Sequence, residues 1–529
     1  MKRLLLWGLS SVLCLQSFAQ NPTAQKYASL ISLEDARKHL TILASDEFEG
    51  RETGKPGATK AAEYIAAEFK RLGLTAPVNN SYFQNVPLIE TSFVVNSFIV
   101  NQTPLTNWKD FYITGGPETG KTVAAKDIVF VGYGISSPSY DDLKNTDITG
   151  KVVLVINEGE PVKGGISAIT KTAEQSDWGR SRTMRIQSLR SKNPAVILSV
   201  SSTVAPMVQR FAGKGPAPRL TIKGNTSTPT AQQAPVFNIT PEVANAFLKN
   251  SGKSYESLKA SIDNTSEPQT QTVQANFTTS FSPKVTDVKA VNVLGFMEGT
   301  DLKDEILVFS AHYDHIGLNP AGPDFVNNGA DDDGSGTTGI IEIARAFTTA
   351  KKDGKGPRRS ILFLGNVGEE EGLLGSQWYT DNPVFPLSKT ITDLNIDMIG
   401  RIDPAHAANP DYCYLIGSDK LSTELHKISE ETNALYTKLK IDYKYNDPND
   451  PEQIYYRSDH YNFAKHNVPI IFYFNGMHED YHKPGDEVSK IDFGMLVKRA
   501  QLVFYTGWEL ANRDKRPVVD VTTPAPRRR

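Results

Sequence analysis

Apolar residues recur at two spacings along this chain, and each spacing predicts a different kind of element. Apolar side chains every three or four positions predict helices over residues 33–43 and 57–72. Short apolar runs rich in β-branched residues predict strands at 127–134, 151–156 and 195–200, each bounded by residues that favour turns. The amino-terminal part of the chain is therefore expected to combine helices with short strands.

After about residue 288 the predicted strands alternate with predicted helices. The strands are expected at 306–309, 360–364, 394–398 and 468–474, and the helices at 335–350, 373–380, 421–438 and 491–511. Alternation over this length is typical of a sheet covered by helices on both faces. The fold class expected for this part of the chain is therefore α/β.

Chain length and the placement of histidines suggest how the chain divides. Because 529 residues exceed one ordinary hydrophobic core, two or three domains are expected. Residues 115–283 have strand patterns and contain no histidine. We expect them to be a β-rich domain inserted between residues 20–114 and 284–515, which would form one domain, and to serve access or binding rather than chemistry. Residues 516–529, rich in Pro and Arg, are expected to form a flexible tail.

Residues 1–19 have the pattern of a secretory signal peptide. Lys2 and Arg3 are basic, the following stretch to Leu15 is mostly apolar, and Ala19 offers a small residue for cleavage. We therefore expect export to the periplasm or the extracellular space, without a membrane span. Cys14 lies in this segment, so Cys413 would be left without a partner for an intrachain disulfide.

The charge of the chain argues against nucleic acid as a partner. Lys and Arg number 57 and Asp and Glu 60, which gives a formal net charge of −3 at pH 7, and no run of basic residues stands out. The composition is that of a globular protein and does not indicate an oligomeric state.

An acidic loop, Gly329–Gly336, is the first candidate for chemistry. It contains three consecutive acids, Asp331, Asp332 and Asp333, between residues that can turn the backbone sharply. Adjacent carboxylates repel one another, and a bound cation relieves the repulsion. A solvated surface loop explains this octapeptide equally well when it is considered alone.

Further acids and histidines follow the predicted strands of the second half of the chain. They are His312 and Asp314, Glu369–Glu371, Asp397, and the group His478, Tyr481 and His482. Open α/β sheets place their sites at the carboxyl ends of strands. Each group has an ordinary explanation by itself, such as acids at a helix start or a turn, but their recurrence at successive strand ends indicates a site.

The residue types in this set favour a metal. Imidazoles and carboxylates without a thiolate suit zinc, with Mn or Co as lesser options. Two histidines and at least three carboxylates exceed the needs of one zinc ion. The set therefore predicts a pair of metal ions joined by a bridging carboxylate.

The motifs and their order resemble family 28 of the metallopeptidases, the di-zinc exopeptidases that include bacterial leucyl aminopeptidases and glutamate carboxypeptidase. The motifs are His312-x-Asp314, Gly329-Ala330-x-Asp332-x-x-Ser335-Gly336, Glu369-Glu370-x-Gly372-Leu373, Asn395-x-Asp397-Met398, Ser458-Asp459-His460 and Tyr481-His482-x-Pro484-x-Asp486. The segment from Ala44 to Arg51 is similar to the amino-terminal portion of that family. Residues 115–283, with Val131–Gly134 and Gly150–Val153, resemble the protease-associated domain that many members carry as an insert. The resemblance implies a three-layer α/β/α zinc-peptidase domain with a mixed sheet.

The resemblance also implies a set of metal ligands. Asp332 would bridge two zinc ions, His312 and Asp397 would complete one position, and Glu370 and His482 the other. No position of the motifs is substituted, which argues against a receptor-like homologue that has lost its metals.

Three further roles follow from the same resemblance. Glu369 would be the general base that takes a proton from the bridging water, and Asp314 would orient His312. Tyr455 is a candidate to stabilise the oxyanion. The triple Glu369–Glu371 also permits a shift by one residue, with Glu370 as base and Glu371 as ligand, although the spacing to Gly372 favours the first assignment.

Two other histidines are interpreted as structural, and two other classes of enzyme are set aside. His315 and His460 lie next to the motifs without matching a ligand position. A serine hydrolase based on Ser458, Asp459 and His460 is rejected, because triad members come from separate segments. Glutaminyl cyclase shares the fold but, as the resemblance implies, uses one zinc ion. The full set of five proposed ligands disfavours that class.

The sequence predicts an aminopeptidase acting on peptides, with a carboxypeptidase of the same family as the alternative. Acids near the metals suit the ammonium group of a substrate, whereas a carboxypeptidase needs a fixed cation. Arg401 and Arg457 lie near the motifs as possible cations. Met398, Phe472 and Phe474 are candidates to line an apolar pocket for the substrate side chain.

Overall fold

The computed structural model describes residues 20–522, except 115–118, 212–214, 216–217, 225–232 and 321. The chain forms two compact units. The first unit joins the residues up to Pro87 with those from Val288 onward, and the second unit is Leu88–Asp287. The predicted signal peptide, with Cys14, lies outside the described residues. Within the described part, no helix is both long and apolar enough to cross a membrane.

The α-helices include both elements that helical spacing predicted near the amino terminus. They are α1 Pro22–Ala28, α2 Leu33–Leu43, α3 Pro56–Leu72, α4 Asp177–Arg180, α5 Arg182–Arg190, α6 Val204–Phe211, α7 Pro241–Leu248, α8 Tyr255–Thr265, α9 Gly336–Lys352, α10 Leu374–Asp381, α11 Thr423–Leu435, α12 His460–Lys465 and α13 Phe493–Asn512.

The strands vary widely in length. They are β1 Phe83–Val100, β2 Thr103–Pro104, β3 Phe111–Thr114, β4 Lys121–Phe130, β5 Ser136–Ser137, β6 Tyr140–Asp141, β7 Val152–Ile156, β8 Val162–Lys163, β9 Ile166–Ser167, β10 Val196–Val200, β11 Arg219–Ile222, β12 Val236–Ile239, β13 Gln271–Met297, β14 Leu302–His312, β15 Arg359–Asn366, β16 Thr390–Ile396, β17 Tyr412–Ile416, β18 Lys440–Asp442 and β19 Ile470–Phe474.

The first unit contains a mixed sheet with the strand order β18-β17-β19-β16-β14-β15-β13. The four central strands, β19, β16, β14 and β15, are parallel to one another. At the two sides, β17 runs antiparallel to β19, and the last residues of β13 run antiparallel to β15. The carboxyl ends of the four central strands therefore meet at one edge of the sheet.

Helices cover both faces of this sheet, because successive residues of a strand point to opposite sides. In β14, Val308 belongs to a buried cluster that includes Tyr379 of α10 and Phe463 of α12. The next residue, Phe309, lies against Phe347 of α9, with ring centroids 5.7 Å apart. This arrangement confirms the predicted three-layer α/β/α fold.

The second unit contains strands β4, β7, β10 and β12, which are parallel to one another, with β3 antiparallel at the side. Its core contains an aromatic group in which the rings of Phe98 and Phe111 lie 4.2 Å apart. The unit also contains α4–α8, so it is richer in helix than the sequence suggested. Its identity as a protease-associated domain stays a prediction.

The second unit begins at Leu88, earlier than the predicted boundary near residue 115. The reason is strand pairing. β1 pairs with β11 from Leu88 onward, and β3 pairs with β12, so residues 88–114 are held by partners in the second unit. The other boundary, at Asp287, lies close to the predicted residue 283.

The beginning of the predicted flexible tail is hydrogen-bonded in the structure. The backbone N–H of Asp520 donates to the carbonyl of Leu421, and its carboxylate accepts a hydrogen bond from the backbone N–H of Thr423. Residues 523–529 lie outside the described residues. The flexibility of the tail stays a prediction.

Candidate metal centre

The predicted site residues lie at the carboxyl ends of the four parallel strands. His312 ends β14, Glu369 and Glu370 follow β15, Asp397 follows β16, and His482 follows β19. Because these strand ends meet at one edge of the sheet, the fold brings together side chains that are up to 170 positions apart in the sequence.

Asp332 lies at the centre of this group, in the acidic loop before α9. Its Oδ1 lies 3.3 Å from Nε2 of His312, and its Oδ2 lies 3.1 Å from Nε2 of His482. The two oxygens of one carboxylate thus face histidines from two different strand ends.

Each of these histidines has a second carboxylate beside it. Nε2 of His312 lies 3.6 Å from Oδ1 of Asp397, and Nε2 of His482 lies 2.9 Å from Oε2 of Glu370. The result is two groups of donor atoms that share Asp332. The position of Glu370 beside His482 is the one expected from the unshifted assignment of the triple glutamate.

The environment of these atoms fits a metal. Nε2 of His312 and Oδ2 of Asp332 are buried, and neither has a hydrogen-bond partner among the described residues although charged groups lie nearby. Burial alone would raise the pKa of Asp332, but the surrounding imidazoles of His312, His482 and His315 hold that pKa well below its usual value. An ionised carboxylate between imidazoles is donor chemistry that suits zinc.

Asp333 holds the strand ends in place. Its Oδ2 accepts a hydrogen bond from the backbone N–H of His312, and its Oδ1 accepts from the N–H groups of Gly336 and Met398. An oxygen of Asp333 also lies within 4.8 Å of donor atoms of His312 and Asp397. Because its carboxylate already accepts three backbone N–H groups, we assign Asp333 to the support of the loop rather than to the ligands.

Two other acids fix the conformation of the same loop. Oδ2 of Asp486 lies 3.0 Å from the backbone nitrogens of both Asp331 and Asp332 and accepts from both N–H groups. Oδ1 of Asp331 in turn accepts a hydrogen bond of 2.6 Å from the N–H of Gly400. The loop is therefore tied both to the segment after β16 and to the segment that carries His482.

Arg51 supports the acidic loop through its buried guanidinium group. It is 1% exposed, and its guanidinium donates hydrogen bonds of 2.7–2.8 Å to the carbonyl oxygens of Leu43, Tyr313, Asn328 and Gly329. The sequence marked this residue only as the end of the amino-terminal motif and gave it no role. A buried cation beneath three adjacent acids offsets part of their repulsion.

A family model confirms the resemblance for the part of the chain that carries the metal centre. Residues 292–507 match the model of peptidase family M28. Over these residues the chain is similar to peptidase family M28. All five proposed ligands lie within the matched residues.

Individual relatives are named as aminopeptidases. The chain is 31% identical over 216 residues to a "Probable leucine aminopeptidase" of Trichophyton verrucosum, a match that covers 39% of this chain and 55% of the relative. The chain thus spans about half the length of the curated relatives it matches.

Two solved structures share the fold over most of the chain. An aminopeptidase from Aneurinibacillus sp. strain AM-1 aligns with a TM-score of 0.53 and 17% identity, covering 96% of this chain and 100% of that one. BSAP, a zinc aminopeptidase from Bacillus subtilis, aligns with a TM-score of 0.50 and 17% identity over 93% of this chain and 99% of its own.

His312 lies beside Asp314, the residue expected to orient it. Nδ1 of His312 lies 3.1 Å from the backbone carbonyl oxygen of Asp314 and 3.7 Å from its carboxylate. The carboxylate accepts hydrogen bonds from the hydroxyl of Thr53 and from the backbone N–H of Glu369. Asp314 therefore contacts both a proposed ligand and the segment of the proposed base.

Asp397 is held by a chain of hydrogen bonds. Oγ of Ser458 donates to Oδ2 of Asp397 at 2.7 Å, and the side-chain amide of Asn395 donates to Oγ of Ser458 at 2.9 Å. Nε2 of His460 instead lies 2.8 Å from the carbonyl oxygen of Tyr455. The serine and the histidine of this motif have separate partners, which agrees with the rejection of a serine triad.

A cavity opens beside the proposed ligands. Asp332, Glu369 and Asp397 line one part of it, and the rest of its wall is mostly apolar, with Met398, Ile454, Phe472, Phe474 and Met477. Burial, reinforced by Glu370 and Asp397, raises the pKa of Glu369 well above its usual value. Glu369 is therefore a partly buried carboxyl group with a raised pKa that lines this cavity.

Arg457 and Tyr481 complete the lining of this cavity. The hydroxyl of Tyr481 lies 3.4 Å from Nη2 of Arg457, and the ring of Tyr481 stacks on His482 with centroids 3.8 Å apart. Tyr455, the sequence candidate for oxyanion stabilisation, is 8% exposed and packs edge-on against His460 and Tyr461. Its proposed role stays a prediction, and Tyr481 is the tyrosine that faces the cavity.

The two arginines considered for a carboxypeptidase differ in their surroundings. Nη2 of Arg401 lies 2.9 Å from Oδ2 of Asp480, in a largely buried ion pair. Arg457 is 39% exposed and lies 3.8 Å from Glu452. Arg457 is thus the more accessible of these two arginines.

Sequence reasoning missed four contributors to this site: Arg51, Asp333, Asp486 and His315. Asp486 lies in the last motif and Arg51 in the amino-terminal one, so the motifs marked both positions without giving a role. His315 was interpreted as structural because it lies one residue outside its motif. Its Nδ1 lies 2.9 Å from Oε1 of Glu370, so it contacts the site directly.

Proposed function

We propose that this chain is an exported metal-dependent aminopeptidase, which hydrolyses the amino-terminal peptide bond of peptides with two zinc ions and Glu369. The observation that carries the proposal is the position of Asp332, whose two oxygens face different histidines. A carboxylate placed in this way suits a bridge between two metal ions. The names of the curated relatives agree with an aminopeptidase.

Each metal position would have its own set of ligands around the shared carboxylate. His312, Asp332 and Asp397 would hold one zinc ion, and Asp332, Glu370 and His482 the other, with Mn or Co as alternatives. When bound, the pair would lower the pKa of a water molecule and polarise the carbonyl of the scissile bond.

Glu369 would carry the proton. Its carboxylate lines the cavity beside Asp332 and Asp397, and it is not needed as a ligand. We propose that Glu369 takes the proton of the attacking water and passes it to the nitrogen of the leaving amine. Asp314 would hold both His312 and the backbone of Glu369 in position for this transfer.

The cavity suggests which part of the substrate enters. Its acidic part would attract the ammonium group of a free amino terminus, since opposite charges attract strongly in a partly buried site. Its apolar wall, with Met398, Phe472 and Phe474, suits an apolar side chain on the first residue. We therefore propose removal of an apolar amino-terminal residue.

The alternative, a carboxypeptidase, rests on Arg457. A guanidinium binds a carboxylate with two parallel hydrogen bonds, and Arg457 lines the cavity without a close ion pair. The excess of acids around the cavity favours the amino end of the substrate instead. Arg401 is a weaker candidate because Asp480 already pairs with it.

One peptide blocked in two ways distinguishes these functions. A short peptide that begins with Leu is prepared with an acetylated amino terminus and, separately, with an amidated carboxyl terminus. The aminopeptidase should leave the acetylated form intact and shorten the amidated form from its free amino end, as followed by mass spectrometry. Cleavage of the acetylated form from its carboxyl end would overturn the proposal and assign substrate binding to Arg457.

Export would depend on the first 19 residues, whose pattern of basic, apolar and small residues suits a signal peptide. The amino-terminal residue of the secreted chain should then be Gln20. An intact amino terminus on secreted material would contradict this part of the proposal.

A further inference from the structure

His315 is the third histidine at the metal centre, and the proposed ligand set does not include it. It is 1% exposed, and its ring lies edge-on to that of His482 with centroids 5.8 Å apart. One donor atom from each of His315, Asp332 and Glu370 lies within 4.8 Å of the others. These contacts place His315 beside the proposed metal position of Glu370 and His482. They do not place it beside the proposed metal position of His312.

Glu370 is held between two imidazoles. Its Oε1 lies 2.9 Å from Nδ1 of His315, and its Oε2 lies 2.9 Å from Nε2 of His482. Each oxygen therefore has its own histidine. If His482 and Oε2 of Glu370 face a metal ion, Oε1 is left for a hydrogen bond from His315.

The chemistry of this contact fixes the tautomer of His315. An ionised carboxylate only accepts hydrogen bonds, so Nδ1 of His315 carries the hydrogen. Nε2 of His315 is buried and makes no hydrogen bond to any described residue. The second contact of Nδ1, 3.7 Å from Oδ2 of Asp332, lies on the same side of Asp332 as His482.

The backbone around His315 leaves room for its imidazole ring. The N–H of His315 donates to the carbonyl of Arg51, which anchors the residue to the segment that supports the acidic loop. Gly329, with φ of +57°, lies against the ring, and a Cβ at that position would lie 2.6 Å from ring atoms of His315. Glycine at the start of the acidic loop thus leaves room for His315 as well as permitting the turn.

We propose that His315 is a positioning residue of the second metal position, where it donates a hydrogen bond to Oε1 of Glu370 and keeps Oε2 directed at the metal. This inference rests on the metal centre of the proposed function. Hydrogen-bond partners of metal ligands orient those ligands, and their loss typically lowers metal affinity about 10–100-fold. His315 thereby determines how tightly one of the two metal ions is bound.

The test measures the two zinc affinities of the purified chain by competition with a chromophoric chelator. His315→Ala should weaken one of the two equivalents by about 10–100-fold and leave the other within about threefold of wild type. His315→Asn retains an N–H donor near the place of Nδ1, so it should restore most of the lost affinity. This second variant also keeps the test valid if His315→Ala folds poorly.

His406 supplies the matched control. It is also a buried histidine of the first unit paired with a carboxylate, with Nε2 at 3.0 Å from Oδ2 of Asp442. His406→Asn should leave both zinc affinities unchanged, whatever it does to thermal stability. Thermal unfolding of the metal-free variants separates a general loss of stability from a loss of metal affinity.

Three results would overturn the proposal. Unchanged affinities in His315→Ala would assign the residue a purely structural role. Failure of His315→Asn to restore affinity would assign the imidazole itself as a ligand. A wild-type chain that binds no zinc would remove the proposal together with the proposed function, whereas the first two results leave that function intact.

Discussion

At the scale of single residues, two neighbouring glutamates are placed for different tasks. Glu370 lies 2.9 Å from both His482 and His315, so both of its oxygens are occupied. Glu369 lines the cavity, and burial raises its pKa well above the usual value. A carboxyl group with a raised pKa that lines a cavity suits proton transfer, whereas a carboxylate held by two imidazoles suits a metal ligand.

Replacing the proposed base tests this division of roles. Glu369→Gln should keep both metal ions and lose roughly 10²–10⁴-fold in kcat, because the amide preserves the shape of the side chain but cannot accept the proton. The measurement combines elemental analysis with steady-state kinetics. Glu371→Gln, which alters the next glutamate along the same segment, is the matched control and should change kcat far less.

The outcome also decides the assignment within the triple glutamate. If Glu369→Gln loses a metal ion while Glu371→Gln does not, Glu369 is a ligand and the proposed roles are wrong. If Glu371→Gln is the variant that loses a metal ion, the base moves to Glu370 and the ligand to Glu371.

At the scale of elements, the strand ends are fixed by charged side chains that bind backbone groups. Asp333 accepts N–H groups from three segments, and Asp486 accepts two from the acidic loop. Arg51 donates to carbonyl groups of the same region. Backbone groups at a buried strand end lack ladder partners, so these side chains satisfy them.

Arg51 gives the most direct test of this support. Arg51→Lys keeps the charge, but an ammonium group cannot reproduce the spread of hydrogen bonds that the planar guanidinium makes. We expect the free energy of unfolding of the metal-free chain to fall by about 3 kcal/mol, since hydrogen bonds to charged groups contribute ~1.5–3 kcal/mol each. Urea denaturation of the purified chain measures it.

The control for this variant is Arg71→Lys. Arg71 is 55% exposed and pairs with Glu68 on the surface of α3, so its replacement should change the free energy of unfolding by no more than about 0.5 kcal/mol. Equal effects of the two variants would show that Arg51 does not support the loop as described.

The sequence predicted elements well where an apolar pattern is strong and local. The helix predicted over 33–43 forms as Leu33–Leu43, and that over 335–350 forms as Gly336–Lys352. β17 was not predicted. Tyr412–Ile416 is an apolar run, but it follows turn residues and no second sequence pattern indicated a strand there. β13 was also not predicted, since Gln271–Met297 pairs with partners that are distant in sequence.

At the scale of the whole molecule, the sequence indicated that the proposed ligands would lie together, but it did not indicate their supports. Motifs mark His312, Asp332 and Asp397 because metal binding requires those residue types at strand ends. The contacts of Arg51 are with residues up to 281 positions away, and no local pattern records such a pairing. The early start of the second unit was missed for the same reason, because β1 pairs with β11 across more than 100 residues.

The central claim is that one carboxylate, that of Asp332, joins two metal positions. Its consequence is a difference in metal stoichiometry between variants. Asp397→Ala and Glu370→Ala each remove a ligand from one position, whereas Asp332→Ala removes a ligand from both. Unfolding of a variant is detected separately by circular dichroism.

Elemental analysis of the purified wild-type chain and these three variants is the most direct measurement. The account predicts close to two metal ions per chain in the wild type, about one in Asp397→Ala and Glu370→Ala, and near none in Asp332→Ala. A folded Asp332→Ala chain that retains both metal ions, or an active wild-type chain with none, would contradict it.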